Sequence, residues 1–552
     1  MNNARRRFHV RAAMLLAAVS LTQMGHARSA PTPGGHPMPK LVVVVVADGL
    51  AQEQLLKNYP LFVEGGFRRL MDKGAWFSDA HQGHAFTVTA PGHAAILSGA
   101  YPYQHGIIGN EWRLRDGTFV YCVGDAAHRY LDSAPTVANA GTSPRNLQVS
   151  TVGDELRYAN NNLSRVFAVS MKDRSAILLA GKTGTAYVYR SATGAFASTS
   201  YYMSEHPPWV AAFFADKPQD KYFKQSWAPL LPTTAYVHST PARFNRQLGL
   251  AMEAPNPIYY GQLGGSPYGD SFTADFATTL IEQEGLGKNP ANVPDVIAVS
   301  FSALDSTNHT FGPESLQSAD HVVRLDRILS KFFAGIDKQV GSGNALIVLT
   351  ADHGFMNAPD FSKARQFDAG RIDANDMLAA ANKTLADKFG LPKLITQYYT
   401  GGATLDYAAA ELKGINRATL EPAARRALLA FPGINFVFTR SQLEEGTMPA
   451  TRVGRLVTRA WNVHSASDLV FIQKPFHFFQ SKTSTSSLIC SHGTPYSYDT
   501  NVPLLIEGAP WIRAGRYTAP AEVVDIAPTL STILNIRPPS AAEGRVLTEA
   551  LK

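Results

Sequence analysis

The stretch L-V-V-V-V-V-A-D-G, residues 41–49, decides the fold of this chain. Leu41 to Val46 is an unbroken apolar run of mostly β-branched residues, which is typical of a strand buried on both faces of a parallel sheet. The run ends at Asp48, and a carboxylate at the tip of a central strand is either a helix cap or a ligand. The stretch predicts an α/β fold with a buried parallel sheet.

The same pattern of a strand followed by polar side chains recurs along the chain. Three further apolar runs end in this way: residues 166–171 before Lys172, Asp173 and Arg174, residues 294–304 before Asp305 and His309, and residues 345–349 before Asp352 and His353. The carboxyl ends of parallel strands meet at one edge of a sheet, where open α/β folds bind their ligands. We therefore expect these side chains to converge.

A helix entrance lies between the first two of these strands, in F-T-V-T-A-P-G-H, residues 86–93. Thr89 precedes Ala90, Pro91 and Gly92, and an apolar run follows, so the hydroxyl is predicted near the N-cap of a helix. A threonine at this position usually does no chemistry. Its importance here depends on the polar groups predicted at the same edge.

The first 28 residues read as a signal peptide. Four arginines, Arg5, Arg6, Arg7 and Arg11, precede the apolar run Ala12 to Leu21, and small residues near position 28 offer cleavage sites. The run is too short for a bilayer span of ~20 residues. Export follows either the general secretory route or, because of the paired arginines, the twin-arginine route. We expect a periplasmic or secreted protein with no membrane segment after cleavage.

Charge and cysteine content narrow the class further. The formal net charge is +7, but residues 1–28 contain five arginines and no acid, which leaves about +2 for the mature chain. Such a small excess does not favour non-specific nucleic-acid binding. Cys122 and Cys490 either form a disulfide or remain thiols, and Cys490 would then be a buried thiol beside His492.

The motifs divide the chain into a core and two insertions. The predicted catalytic α/β core comprises residues 40–182, 293–359 and 481–552. Residues 183–292 are rich in aromatic residues, proline and alanine, and we predict an inserted cap. Residues 360–480 are predicted to form a second inserted subdomain with helices and strands.

The converging side chains suit divalent metal ions. Three aspartates, three histidines and one hydroxyl form the candidate ligand set: Asp48, Asp305, His309, Asp352, His353, His492 and Thr89. Oxygen and nitrogen ligands of this kind suit Zn²⁺. Two such ions ~4 Å apart can clamp a phosphoryl group. A threonine hydroxyl activated by a metal is a credible nucleophile, whereas a free one is not.

Three further residues are candidates for binding an anion. Asn110 is either a turn residue beside Gly109 or an amide that donates to an anionic oxygen. Lys172 and Arg174 are either part of a solvated turn or a pair of cations that point to one side of an extended segment and clamp a dianion. A monoester carries about two charges near alkaline pH and a diester one, so such a pair favours monoesters.

Taken in order, the motifs resemble the alkaline phosphatase superfamily, and within it the threonine-nucleophile, zinc-dependent alkaline phosphatases of the PafA type. The resemblance runs from about Lys40 to about Leu547, through V-x-D-G, T-A-P-G-H-A, H-G-I-I-G-N, M-K-D-R, D-x-x-x-H, A-D-H-G, the block at His492 and D-I-A-P-T-L. It implies a three-layer sandwich with a mostly parallel central sheet and inserted cap segments.

The resemblance also implies roles for the candidate residues. Thr89 would be the nucleophile that becomes phosphothreonine, and Asn110, Lys172 and Arg174 would contact the non-bridging oxygens. One zinc would be held by Asp305, His309 and His492, and the other by Asp48, Asp352, His353 and Thr89. The expected substrates are small phosphate monoesters, the expected assembly is a monomer, and additional Ca²⁺ or Mg²⁺ is compatible with the family.

Three alternatives stand beside this hypothesis. A nucleotide pyrophosphatase/phosphodiesterase shares the fold, the metal sites and the threonine, but P-N-H is expected in place of Pro91-Gly92-His93, and no Lys172/Arg174 pair. A sulfatase is disfavoured because the C/S-x-P-x-R motif is absent. An exported phosphate-binding or zinc-binding module without turnover would make the Thr89 hydroxyl dispensable.

Overall fold

The computed structural model describes residues 35, 37–133, 141–240, 246–399, 401–465, 467–483 and 488–552. The predicted signal peptide lies outside the described residues. Within the described ranges, no helix has both the length and the apolar character needed to cross a bilayer.

The core of the molecule is a nine-stranded sheet. The principal strands are β1 (Leu41–Ala47), β2 (Ala75–Phe77), β3 (Val166–Ser170), β4 (Thr185–Arg190), β5 (Ala195–Ala197), β6 (Asp295–Phe301), β7 (Ala345–Thr350), β8 (Ile395–Tyr399), β9 (Gly402–Leu405), β10 (Ile434–Thr439), β11 (Leu469–Gln473), β12 (Leu504–Glu507) and β13 (Gly515–Tyr517). The central order is β5-β4-β3-β6-β1-β7-β12-β2-β13. Strands β4, β3, β6, β1 and β7 are parallel neighbours, and β12 is antiparallel to β7.

Helices cover both faces of this sheet. The principal helices are α1 (Gln52–Asn58), α2 (Phe67–Lys73), α3 (Thr89–Ser98), α4 (Val152–Ala159), α5 (Asp173–Ala180), α6 (Pro267–Gln283), α7 (Ala303–Phe311), α8 (Leu316–Val340), α9 (Ala374–Phe389), α10 (Arg417–Leu429) and α11 (Ile526–Ile533). Helices α1, α2, α6, α7 and α8 pack together on one side, and α3, α4, α5 and α11 on the other. The predicted three-layer α/β fold is confirmed.

The strand register explains why the polar side chains converge. All seven residues of β1 are buried, because parallel neighbours flank it and helices cover it. Ala47 pairs with Phe301, Val46 pairs with Thr350, and Ser170 pairs with Ser300. Strands β1, β3, β6 and β7 therefore end level with one another, and the residues that follow them share one edge of the sheet.

The two insertions contribute to the structure in different ways. Residues 183–292 include β4 and β5 of the central sheet and helix α6, which packs on α8. This segment is therefore not a separate cap along its whole length, because its first part extends the sheet and its last part covers it. Residues 360–480 contain a second sheet in the order β8-β9-β11-β10, with α9 and α10 around a hydrophobic cluster of its own.

Candidate active site

Three carboxylates and one histidine meet at the shared edge of the sheet. Asp48 follows β1, Asp352 follows β7, and Asp305 lies in the first turn of α7. His353 Nε2 is 3.6 Å from Asp48 Oδ1, 3.4 Å from Asp352 Oδ2 and 4.0 Å from Asp305 Oδ1. All four side chains are almost fully buried. The carboxylates predicted from separate strand ends are therefore brought together around one imidazole.

Three histidines are oriented by backbone carbonyls. Nδ1 of His309 donates to the Cys490 carbonyl at 3.0 Å, Nδ1 of His353 to the Gly354 carbonyl at 3.0 Å, and Nδ1 of His492 to the Thr87 carbonyl at 2.8 Å. This hydrogen bond fixes the tautomer and leaves the lone pair of Nε2 for a metal ion. The Nε2 atoms of His309, His353 and His492 lie 3.5, 4.0 and 3.4 Å from Asp305 Oδ1.

The site carries more negative charge than its own cations balance. Burial raises the pKa of Asp48 well above its ordinary value, and the charge of Asp352 adds to the rise. Burial also opposes ionisation of Asp305, yet Lys172 and the facing histidines hold its pKa well below the usual range. Lys172 Nζ is 2.8 Å from Asp48 Oδ2 and 2.7 Å from Asp305 Oδ2. The Lys172 ammonium therefore contacts two carboxylates, while Asp352 faces His93 and His353.

These residues fit divalent cations. Asp48 Oδ1, Asp305 Oδ1 and His353 Nε2 are buried atoms without a hydrogen-bond partner among the described residues, and such orphaned atoms are costly unless a ligand satisfies them. Two sets of ligand atoms lie close enough to hold an ion: Asp305 with His353 and His492, and Asp48 with Asp352 and His353. His353 belongs to both sets, and its ring stacks on His492 with centroids 3.5 Å apart.

Thr89 lies at the N-terminus of a buried helix. It is the first residue of α3, and the N-cap is Val88, whose side chain cannot cap the helix. The free amide groups and the helix dipole at this end favour an anion. Lys172 Nζ donates to Thr89 Oγ1 at 3.4 Å. The hydroxyl therefore stands beside the carboxylate cluster and in front of a helix N-terminus.

Gly92 lets this helix approach the carboxylates. A Cβ at position 92 would overlap the carbonyl oxygen of Asp352. His93, on the same turn, has Nδ1 2.9 Å from the Thr89 carbonyl oxygen and 3.1 Å from Asp352 Oδ2, and its Nε2 is 2.9 Å from Ser300 Oγ. His93 therefore joins the first turn of α3 to the Asp352 carboxylate.

The three predicted anion-binding side chains lie in different local environments. Asn110 Oδ1 accepts from the Ala90 N–H at 2.9 Å, which leaves the Asn110 amide nitrogen to donate to a ligand. Lys172 is the N-cap of α5, and Arg174 lies in the first turn of that helix. The prediction that both cations lie in one extended segment is therefore wrong, because the helix begins between them.

Arg174 is nevertheless held near the site. Its Nε is buried without a hydrogen-bond partner in the part of the chain that the structure describes. Burial opposes its charge, but Tyr121, Asp173 and Asp48 raise the pKa of the guanidinium above its ordinary value. The helix turn, rather than strand alternation, brings Arg174 toward the same region as Lys172.

A buried hydrogen-bond network fixes helix α7, which carries Asp305 and His309. His321 Nε2 is 2.9 Å from Asp270 Oδ2 and its Nδ1 is 2.8 Å from Thr307 Oγ1, while Asp270 Oδ1 accepts from the Ala303 N–H at 3.1 Å. These contacts join α6 and α8 to the start of α7. Thr307 is fully buried, so this Asp-His-Thr set positions a helix and has no access to substrate.

Asn308 connects α7 to the first strand end and to the His492 loop. Its Nδ2 donates to the Gly49 carbonyl at 3.1 Å, and its Oδ1 accepts from Ser318 Oγ at 2.6 Å. The Cys490 thiol donates to the Asn308 carbonyl at 3.2 Å. The sequence alone did not lead us to predict a role for Asn308. Its position within D-S-T-N-H, between the candidate ligands Asp305 and His309, could have indicated one.

We expect Asn308→Ala to weaken the binding of divalent metal by ~10-fold or more, because loss of contacts that orient metal ligands has costs of this size. The affinity for a divalent ion is measured by competition with a chromophoric chelator. Asn382→Ala is the matched control, since Asn382 makes comparable hydrogen bonds to Leu394 and Ile395 in the second sheet. Equal affinity in the two variants would contradict a positioning role for Asn308.

The two cysteines are separate in the structure. Cys122 and Cys490 are both buried free thiols, and burial raises the pKa of the Cys122 thiol above its ordinary value. Of the two readings of the sequence, the structure shows the unpaired one. Cys490 lies beside the site, where its carbonyl group accepts from His309 Nδ1 and its thiol donates to the Asn308 carbonyl.

Comparisons with known proteins agree with this geometry. The family described as type I phosphodiesterase / nucleotide pyrophosphatase matches residues 42–386. Alkaline phosphatase PafA of Elizabethkingia meningoseptica is 32% identical over 538 residues, covering 93% of this chain and 95% of the relative. A Myroides odoratus protein named calcium-transporting ATPase is also 32% identical, over 535 residues, covering 93% of this chain and 95% of the relative.

A solved structure shows the same architecture. The crystal structure of wild-type alkaline phosphatase PafA superposes with a TM-score of 0.84 at 31% identity, covering 94% of this chain and 99% of that one. This chain is thus similar to PafA in both sequence and fold over nearly its whole length, and it is an enzyme of the alkaline phosphatase kind. It belongs to the type I phosphodiesterase / nucleotide pyrophosphatase family, within the alkaline phosphatase superfamily.

Proposed function

We propose that this protein is an exported alkaline phosphatase that hydrolyses phosphate monoesters through a phosphothreonine at Thr89, at a site that binds two zinc ions. One observation carries the proposal. The Nε2 atoms of His309, His353 and His492 all face Asp305 Oδ1, each with its Nδ1 already used by a carbonyl. This arrangement suits metal ligation and leaves Thr89 at the border of the cluster.

We assign the zinc ligands as the sequence predicts. Asp305, His309 and His492 would hold one ion, and Asp48, Asp352, His353 and Thr89 the other. His353 lies near both sets, which supports two closely spaced ions. Bound zinc would supply Lewis acidity for the attacking and the leaving oxygen.

The chain's own residues do the rest of the chemistry. The Thr89 oxygen forms a bond to phosphorus as the bond to the alcohol breaks, and water later cleaves the phosphothreonine to release phosphate. The N-terminus of α3 stabilises the anionic group. The amide of Asn110 donates to a non-bridging oxygen, and Lys172 and Arg174 offset its charge.

The cationic pair is proposed to select monoesters over diesters. We expect Lys172→Ala combined with Arg174→Ala to lower kcat/KM for a monoester by ~100-fold or more, since each charged contact to the transferring group contributes a large factor. The loss for a diester, which lacks one charge, should be at least ~10-fold smaller. The rates are compared with p-nitrophenyl phosphate and bis-p-nitrophenyl phosphate.

This comparison also tests the second candidate function. The family model that matches the chain is named for phosphodiesterases, so a phosphodiesterase is the alternative. A wild-type enzyme that prefers the diester, or a double variant that loses both activities equally, would favour that alternative. Preference for the monoester in the wild-type enzyme supports the phosphatase.

Export and assembly complete the proposal. The basic and apolar sequence of residues 1–28 supports cleavage near residue 28 and delivery to the periplasm or the medium. The mature enzyme is proposed to be a monomer. N-terminal sequencing of protein recovered from outside the cytoplasm is expected to begin near residue 29, and an intact N-terminus there would contradict export by cleavage.

A further inference from the structure

A short hairpin begins directly after Asn110 and ends beside it. Its strands, Glu111–Arg113 and Phe119–Tyr121, pair in antiparallel fashion. The N–H of Cys122, directly after the second strand, donates to the Asn110 carbonyl at 3.0 Å. Because Asn110 Oδ1 also accepts from the Ala90 N–H, the base of the hairpin is fixed beside one of the candidate anion-binding side chains.

The backbone at the end of the hairpin is also held by another segment. Asn146 Nδ2 donates to the carbonyl oxygens of Tyr121 and Cys122, each at 3.2 Å. Cys122 is fully buried, and Tyr121 is partly buried. The Tyr121 side chain therefore extends from a backbone that hydrogen bonds hold on two sides.

Tyr121 reaches the segment that carries the two cations. Its hydroxyl donates to Asp173 Oδ1 at 2.6 Å, and the same oxygen accepts from the Arg174 backbone N–H at 2.7 Å. Hydrogen bonds to a carboxylate are stronger than those between neutral groups. Asp173 is the first residue of α5, and Lys172 and Arg174 flank it. One carboxylate oxygen therefore joins the hairpin beside Asn110 to the start of α5.

The other oxygen of Asp173 has a longer contact. Tyr130 Oη lies 3.5 Å from Asp173 Oδ2, and it accepts from Thr142 Oγ1 at 2.9 Å. The Arg190 guanidinium lies 3.6 Å from the centre of the Tyr130 ring. Both oxygens of the carboxylate therefore face a fixed tyrosine, and this restricts its rotation.

The Arg174 side chain has no comparable support of its own. Among the described residues, its guanidinium forms no ion pair, and its buried Nε has no hydrogen-bond partner. Lys172, two residues earlier, carries the same charge, and like charges disfavour each other's ionised form. Asp173 and Asp48 supply negative charge near the guanidinium. The carboxylate that Tyr121 holds therefore helps two cations to lie near one anion.

We propose that Asp173, held by Tyr121, is a positioning residue that fixes the Arg174 guanidinium where the phosphoryl group binds. The inference rests on the proposed function, in which Arg174 contacts a non-bridging oxygen, and it adds two residues to that site. The role requires neither residue to touch the substrate. Both restrict the first turn of α5 relative to Asn110, so that the guanidinium and the Asn110 amide act on one anion. Loss of such support misplaces a charged group without removing it.

The test begins with Tyr121→Phe, which removes the hydroxyl and keeps the ring. We expect kcat/KM for p-nitrophenyl phosphate to fall by ~10-fold, because a misplaced guanidinium loses part of its contribution. The loss for bis-p-nitrophenyl phosphate, which carries one charge less, should stay within ~2-fold. Asp173→Ala is expected to change the two rates in the same direction. Equal losses for the two substrates would overturn the proposal.

Repeating Tyr121→Phe in an Arg174→Ala background separates positioning from a general structural effect. A residue that acts through the guanidinium has nothing left to position in that background. The added loss of kcat/KM for p-nitrophenyl phosphate should therefore be less than ~2-fold there. A loss of ~10-fold in both backgrounds would overturn the proposal, because it would show that Tyr121 acts independently of Arg174.

Tyr236→Phe is the matched control. Tyr236 is buried and its hydroxyl donates to Asp320 Oδ1 at 2.7 Å, but Asp320 lies in α8 rather than α5. This variant should leave the ratio of the two rates unchanged, and a change equal to that of Tyr121→Phe would overturn the proposal.

Binding of inorganic phosphate gives a readout that does not depend on turnover. We expect calorimetry to show phosphate affinity about 3- to 10-fold weaker in Tyr121→Phe than in the wild-type protein, since the anion loses part of a charged contact. Unchanged phosphate affinity in this variant would overturn the positioning role alone. No hydrolysis of any monoester by the wild-type protein would overturn the proposed function itself.

Discussion

Replacing Thr89 with alanine is expected to lower kcat for p-nitrophenyl phosphate by ~10⁴-fold or more, because the variant has no oxygen to accept the phosphoryl group. Thr89→Ser replaces the secondary hydroxyl with a primary one at the first position of α3 and should keep activity within ~100-fold of the wild type. The two variants are compared under the same zinc loading. In a quenched-flow experiment at low pH, we expect the wild-type enzyme to release a burst of one molecule of p-nitrophenol per active site. We expect no burst from Thr89→Ala.

The alanine variant must retain the rest of the site for this comparison to be informative. Thr89 Oγ1 contacts Lys172 Nζ at 3.4 Å, whereas the carbonyl of Thr89 is the atom that His93 contacts. Alanine keeps that carbonyl and is a good helix former, so α3 is expected to persist. Zinc content and thermal stability close to wild type would show this. Full activity in Thr89→Ala would show that a different group is the nucleophile, whereas a wild-type protein that binds phosphate or zinc and hydrolyses no ester would support the binding-module alternative.

Removal of divalent metal is expected to abolish hydrolysis and to destabilise the protein. Three carboxylates and one ammonium would then share a buried space, so part of the charge would be left uncompensated. Dialysis against a chelator should lower kcat by ~10³-fold or more, since no metal ion would then activate the attacking oxygen or the leaving oxygen. The melting temperature should fall at the same time, because zinc binds only the folded state.

Reconstitution identifies the metal. Zinc added to the chelated protein is expected to restore both activity and melting temperature, with saturation at two ions per chain. Mg²⁺ or Ca²⁺ alone should restore neither fully, because nitrogen ligands from three histidines do not suit these ions. Full recovery with Mg²⁺ alone would contradict the assignment of zinc. The metal content of protein purified without added metal gives an independent count, including any extra Ca²⁺ or Mg²⁺.

The sequence predicted the parts of the fold that rest on local patterns. The apolar runs predicted at residues 41–46, 166–171 and 345–349 form strands β1, β3 and β7. Parallel strands end at a common edge, so strand-end residues were a sufficient signal for Asp48 and Asp352. These predictions needed only the order of apolar and polar residues in the sequence and the rule that parallel strands end at a common edge of the sheet.

Other features depend on contacts between distant segments and carry no local pattern. Strands β4 and β5 were assigned to a cap because their aromatic composition lacks a clear period, yet β4 pairs with β3 and β5 pairs with β4 at the sheet edge. The extended geometry predicted for Lys172 and Arg174 is wrong because a helix begins at Asp173. The sharing of His353 between two ligand sets follows from packing alone.

The glycine that follows Asp352 and His353 is required by a contact between segments that are distant in sequence. In the structure, a Cβ at this position would overlap the Tyr498 carbonyl oxygen, and the Gly354 N–H donates to the Asp499 carbonyl at 2.7 Å. Glycine is needed because a neighbouring segment, 144 residues later in sequence, packs closely against the backbone.

Anomalous X-ray diffraction from crystals of the mature protein, recorded just above and just below the zinc absorption edge, tests the central claim most directly. We predict two zinc peaks ~4 Å apart, one among Asp305, His309 and His492 and the other among Asp48, Asp352 and His353, with Thr89 Oγ1 beside the second. No zinc peak among these residues, or a zinc ion bound at a different part of the chain, would contradict it.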